Sequence, residues 1–144
     1  GSPWQTMANL LEDLAFIREL QPQMIGIGPF IPHHATPFKN YPAGTLEQTL
    51  TLLSVLRLMF PKVLLPATTA LGTIVPNGRE LGILAGANVV MPNLSPADVR
   101  QNYLLYDNKL CSGAEAAEAK NDLAARLHSI GYEIAEGRGD YKES

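Results

Sequence analysis

Apolar positions along this chain alternate between two rhythms. Behind Thr6, residues Leu10, Leu14 and Ile17 recur at helical spacing, with Leu11 and Phe16 widening the stripe. That pattern predicts an amphipathic helix with Thr6 as its N-cap. Gln21-Pro22 stops it, because proline cannot continue the hydrogen-bond ladder. Leu46, Leu50, Leu53 and Leu56 form one face of a second helix. Its start, Thr45-Leu46-Glu47-Gln48, has the form of a capping box, and Pro61 closes it. Between and after these helices lie three short apolar runs, at 24–31, 63–67 and 88–92. Their length, β-branched content and flanking prolines predict buried strands. A short helix is expected over 79–85 with Gly86 at its C-cap. Ser95-Pro96-Ala97-Asp98 supplies a cap, an N1 proline and an acid for another. An alanine-rich helix over 113–130 follows, with Leu123, Leu127 and Ile130 on one face and Gly131 ending it.

Helices alternating with short hydrophobic strands imply an α/β fold of parallel strands joined by right-handed crossovers. Three strands do not close a barrel, so the expectation is a small open sheet or part of a larger TIM-type β/α barrel. In such barrels the active groups gather at the carboxyl ends of the strands, here residues 29–34, 68–69 and 91–93. Gly1-Ser2-Pro3 runs straight into the first helix signal, as in a piece of a longer protein.

Composition narrows the classes. The chain has 144 residues, 46% hydrophobic and 17% charged, enough for one domain with a sizeable core. A net charge of -3 offers no basic field for nucleic acid and no polybasic membrane patch. The longest apolar stretches, such as 49–60, are too short to span a bilayer. One cysteine, Cys111, excludes an intramolecular disulfide and suggests a reducing cytoplasm.

The residues with chemical capacity are few. His33-His34 invites a metal, but adjacent side chains in an extended loop point opposite ways, so the favoured reading is histidines bonded to nearby backbone. No metal site is predicted. Thr68-Thr69 follows a buried run, where hydroxyls and free amides can hold a carboxylate or another small anion, or simply cap a turn. Met24 and Met91 read as core fillers, Tyr103 and Tyr106 as pocket or structural tyrosines. Cys111 alone cannot hold an iron–sulfur cluster. No Gly-x-Gly-x-x-Gly after a strand, no Gly-x-x-x-x-Gly-Lys and no Cys-x-x-Cys occurs.

Longer stretches carry more information. Gly1-Ser2-Pro3-Trp4-Gln5-Thr6 resembles the turn after the fourth strand of biotin-synthase-like barrels of the radical S-adenosylmethionine (SAM) superfamily. Gly26-Ile27-Gly28-Pro29-Phe30-Ile31-Pro32-His33 resembles the fifth strand of HydE-type maturases of [FeFe]-hydrogenase, where biotin synthases differ. Pro66-Ala67-Thr68-Thr69-Ala70-Leu71-Gly72-Thr73 and Gly86-Ala87-Asn88-Val89-Val90-Met91-Pro92-Asn93 resemble the next two strands. Tyr106-Asp107-Asn108-Lys109-x-Cys111 resembles the linker into the terminal helices.

This resemblance implies the carboxyl-terminal half of a radical SAM barrel over 1–110 and a terminal helical extension over 111–144. It moves Met24, Ile27, Gly28, Pro29, Met91 and Tyr103 towards contacts with S-adenosylmethionine. Thr68, Thr69, Asn93 and Tyr106 move towards substrate. The Cys-x-x-x-Cys-x-x-Cys that binds the family's [4Fe–4S] cluster is absent, and 112–120 offers Cys111 no partner for an auxiliary cluster. The resemblance therefore implies a stretch that is inert by itself and whose partners are the missing amino-terminal half, a second copy of itself, and other hydrogenase maturases. The alternatives are a piece of biotin synthase or another radical SAM enzyme, or a free-standing β/α module that binds an anion or a partner protein.

Overall fold

The computed structural model describes residues 2–92, 96, 98, 106–108 and 116–142. Helix α1 (Met7–Leu20) begins at Thr6, whose hydroxyl accepts from the Asn9 amide while the Asn9 side chain reaches back to the Thr6 N–H. It ends at Gln21 in the left-handed region, ahead of Pro22. Helix α2 (Leu46–Met59) begins at Thr45, whose hydroxyl accepts from the Gln48 amide. Its predicted face turns inward: Leu53 and Leu56 are fully buried, with Leu46 and Leu50 against them.

Two short helices follow. Helix α3 (Thr69–Ile74) is not among the elements that the apolar pattern predicts. Six residues anchored by the buried Leu71 are too few to register as a periodic stripe. Helix α4 (Gly78–Leu84) matches expectation within a residue. It crosses α3 closely enough that a Cβ on Gly78 would lie 2.0 Å from the Leu71 carbonyl oxygen, so only glycine fits. Gly86 takes φ +116° to turn the chain out of α4. Helix α5 (Ala116–Ser129) ends at Gly131, also at positive φ. It buries Leu123 and Leu127 in the same core as α2, α3 and α4. The cap at Ser95-Pro96-Ala97-Asp98 lies largely outside the described residues.

The strands need correction. The fold is mostly helical, and among the described residues the three apolar runs meet at two isolated parallel bridges, Met24 with Leu64 and Pro66 with Val89. Proline is the physical reason: Pro29 and Pro66 have no N–H to donate. The Asn88 side chain also takes a ladder position, accepting from the Leu65 amide at 2.8 Å and donating to the Val63 carbonyl at 3.3 Å. The order and direction are nonetheless those of parallel runs with 63–67 in the middle. The Leu64 amide donates to the Gln23 carbonyl and the Ile25 amide to Leu64; on the other side Ala67 donates to Val89 and Val89 to Leu65.

A second difference lies on α1. Leu11 and Phe16 are 60% and 62% exposed, so they do not widen its inward stripe. Only Leu14 and Ile17 pack on the core, and no residue of α1 is buried. No helix of the described residues is long and apolar enough to cross a membrane.

Candidate functional site

The two bridges fix a register that sorts the sequence-chosen residues. Met24 stands opposite Leu64 and Pro66 opposite Val89. Carried forward, that register puts Gly28, Thr68 and Met91 on one level and one face, at the carboxyl ends of the three runs. The structure agrees where it can be measured, since a Cβ on Gly28 would lie 2.9 Å from Thr68 Oγ1. Met24 shares that face but lies four residues earlier, about 13 Å away at strand rise. There it borders a cavity of 520 Å³ with Leu64, Val89, Tyr132 and Ile134. Met24 and Met91 are both about half exposed rather than core fillers.

Ile27 has the opposite parity. It packs against the core and borders a space of 320 Å³ between α1 and α2 with Ile25, Leu14 and Leu56. Only its backbone is left for the carboxyl-end face. Pro29 lines a shallow hollow of 210 Å³ with Gly28, Phe30, Gly44 and Gln5. Its base is shaped by Gly44, whose amide donates to the Phe30 carbonyl at 2.8 Å. Tyr103 and Asn93 lie outside the described residues, as does Cys111.

The two threonines differ in their bonding. Thr68 is the N-cap of α3, yet its hydroxyl caps nothing: Oγ1 is buried with no hydrogen-bond partner. A buried hydroxyl without a partner carries a desolvation cost of about 1–3 kcal/mol. Thr69 Oγ1 accepts from the Arg79 guanidinium at 3.4 Å, and the Thr69 carbonyl accepts from Thr73 Oγ1.

A further side chain, Arg79, stands at the second of these threonines. Burial, then the like charge of Arg126, pushes its guanidinium below the ordinary arginine range, opposed by Glu80, Tyr106 and Asp122. It stays protonated, as arginine does in proteins. Glu80, the nearest acid in sequence, is taken: it is buried and receives both Nε and a terminal nitrogen of Arg126, the latter at 2.9 Å. Among the described residues the one hydrogen bond of Arg79 is therefore to Thr69. A signal existed in the sequence, because Arg79 and Glu80 are the only charged residues between Lys62 and Asp98.

The structure thus brings Gly28 to Thr68 and Arg79 to Thr69, keeps Pro29 beside Gly28, and sets Met24 apart. A half-buried cation held by the Thr69 hydroxyl, with the unsatisfied Thr68 hydroxyl on the next residue, is suited to a carboxylate or another small anion.

A separate polar cluster sits on the loop after 24–31. The His33 and His34 rings stack with centroids 4.5 Å apart, so these adjacent side chains do not diverge. His34 donates its backbone N–H to Asp107 Oδ2 at 2.8 Å, and its Nδ1 lies 2.7 Å from Oδ1. The bond from the His34 side chain, followed by that from its backbone, holds the Asp107 carboxyl below the usual carboxylate range despite partial desolvation.

A scan against protein-family models matches none. Among curated proteins, the chain is 49% identical over 111 residues to the [FeFe] hydrogenase maturase subunit HydE of Thermotoga maritima, covering 77% of this chain and 32% of that protein. It is 37% identical over 89 residues to a 3-methylornithine synthase of Methanosarcina barkeri, covering 62% of this chain and 25% of that protein. The corresponding synthase of Methanosarcina acetivorans is 28% identical over 127 residues, 88% of this chain and 35% of that protein. The chain spans roughly a quarter to a third of the length of these relatives.

Proposed function

The chain belongs to the HydE-like members of the radical SAM superfamily, and we propose that it forms the carboxyl-side β/α units of such an enzyme's barrel. In this reading it holds S-adenosylmethionine and an anionic substrate, in hydrogenase active-site assembly. Residues 1–110 are the barrel units and 111–144 the helical extension.

The observation that carries the reading is an unsatisfied buried hydroxyl at Thr68, next in sequence to Thr69, whose own hydroxyl accepts from the Arg79 guanidinium, at the carboxyl ends of parallel runs. The Thr68 hydroxyl and Arg79 would bind and orient a carboxylate or other anionic group. Thr69 holds Arg79 in place, and Tyr106 is a further candidate for substrate contact. Those ends are where β/α barrels place their ligands.

The residues present fit S-adenosylmethionine and do not fit its cluster. Gly28 lets the chain pass close to Thr68, since a Cβ there would meet Thr68 Oγ1 at 2.9 Å, and would offer the cofactor backbone only. Pro29 and Met91 stand at the same end, with Met91 exposed. Ile27 contributes backbone only. The chain's single cysteine cannot ligate a [4Fe–4S] cluster, so the cluster belongs to a segment outside these 144 residues. Bound together, cluster and S-adenosylmethionine supply one-electron reductive cleavage of the sulfonium. The part played by this chain is binding, orientation and exclusion of water. By itself it is inert.

The exposed Leu11, Phe16 and Leu20 of α1 and the open face carrying Met24 and Met91 support an interaction with the remaining half-barrel. In its absence a second copy would cover them, and light scattering showing a stable monomer at high concentration would count against that. Other hydrogenase maturases are the partners proposed for the whole enzyme, and the cytoplasm its compartment.

The test is anaerobic reconstitution, with iron and sulfide, of a protein in which this stretch is joined to its cluster-binding half. With dithionite and S-adenosylmethionine, 5′-deoxyadenosine should form, and Arg79→Met should lower the substrate-dependent part of its release by at least tenfold. A reconstituted protein that cleaves no S-adenosylmethionine would refute the reading.

A further inference from the structure

We propose that His33, His34 and Asp107 form a binding site for a borderline divalent transition ion of the Zn²⁺ class. It shares no residue with the anion site proposed at Thr68 and Arg79. One ligand atom from each residue lies within 4.8 Å of the others. Two imidazoles and one carboxylate are the donor set that Zn²⁺, Ni²⁺ and Cu²⁺ favour over Mg²⁺ or Ca²⁺.

Local backbone geometry explains how two adjacent histidines face one point. The His33 carbonyl accepts from both the amide and the hydroxyl of Thr36, at 3.0 and 2.8 Å, which closes a turn over 33–36. That turn abolishes the alternation of an extended chain and stacks the rings at an interplanar angle of 23°. Asp107 is brought to them by its own amide, which donates to the Pro32 carbonyl at 3.2 Å, and by the His34 amide.

The distances leave room for an ion. His33 Nε2 lies 3.9 Å from Asp107 Oδ1, beyond hydrogen-bond range, while His34 Nδ1 lies 2.7 Å from the same oxygen. Zn–N and Zn–O bonds of about 2.0–2.2 Å at a tetrahedral angle separate ligand atoms by about 3.3 Å. One distance must close and the other open, each by about half an ångström on that geometry. The His34 side chain is 77% exposed, so water can fill the remaining coordination positions.

One interaction opposes binding. The Ala35 amide donates to His33 Nδ1 at 3.0 Å, which leaves the proton of the neutral ring on Nε2. An ion at Nε2 displaces that proton and disrupts the Ala35 contact. Affinity should therefore be micromolar, well short of a closed structural zinc site. A bound ion would tie the loop after 24–31 to the segment carrying Tyr106, joining residues 73 positions apart in sequence.

The experiment is competition for Zn²⁺ against a chromophoric chelator, using the full chain with Cys111→Ser and His128→Gln to remove other soft ligands. One equivalent should bind with micromolar affinity. His34→Ala and Asp107→Asn should each weaken it at least tenfold, with the far-ultraviolet spectrum unchanged. In long-range ¹H–¹⁵N spectra, Zn²⁺ should shift the ring nitrogens of both His33 and His34. Absence of Zn²⁺ binding at one hundred micromolar free ion would overturn the site. So would binding that survives both substitutions, or a shift confined to one ring. None of these outcomes bears on S-adenosylmethionine cleavage.

Discussion

Glu80 is buried on α4 and held by Arg126 of α5, which donates through Nε and a terminal nitrogen and also reaches the Pro76 carbonyl. Replacing Arg126 by methionine keeps most of the apolar stem and removes only the charge and its donors. Breaking a buried pair by deleting one partner costs about 3–5 kcal/mol, because the remaining charge is left without compensation. Here Arg126 is 34% exposed and water can partly replace it, so the expected loss is about 2–3 kcal/mol, below that range. For a domain of this size the melting temperature should fall by about 6–9 °C at roughly 3 °C per kcal/mol. Glu80→Gln in the same background should recover more than half of the loss, since a neutral amide needs no counter-charge. Urea denaturation of the two single variants and the double variant, followed by circular dichroism, closes the cycle. An Arg126→Met loss below about 0.5 kcal/mol, or a double variant no better than the single, would refute the view that this pair joins α5 to the core.

Three further outcomes follow from the packing. Gly78→Ala should destabilise the chain by more than about 2 kcal/mol, because its Cβ meets the Leu71 carbonyl at 2.0 Å and only a backbone shift relieves it; a melting temperature within a degree of the parent would contradict this. Leu53→Ala should lower stability by about 2–5 kcal/mol in urea titrations, as expected for a fully buried side chain in the central cluster. Thr68→Val should leave stability unchanged or raise it by up to about 1 kcal/mol, since it removes an unsatisfied buried hydroxyl. In the reconstituted enzyme the same change should weaken substrate binding, and a clear loss of fold stability instead would mean the hydroxyl has a structural partner.

Helix starts and stops were legible in the sequence because they are local. Thr6, Thr45, Gln21-Pro22 and Gly86 each act on backbone groups within four residues, so their chemistry is written beside the structure it produces. The inward face of α2 was legible for the same reason, being a repeat along one element. Thr68 and Thr69 could be named from their place after an apolar run, and Gly28 from the family resemblance.

What the tertiary structure alone decided depends on contacts between distant segments. The parallel register, set by Met24 with Leu64 and Pro66 with Val89, aligned Gly28, Thr68 and Met91 and separated Met24 from them. Whether Leu11 and Phe16 are covered depends on what lies beyond α1, which periodicity within α1 does not contain. Arg79 is left to Thr69 because Arg126, 46 residues along the chain from Glu80, occupies that acid. His33 and His34 share a target because a turn and a carboxylate from position 107 converge on them. A sequence lists the groups available for hydrogen bonds and charge pairs; only the folded chain determines which of them are already satisfied and which remain free to bind something else.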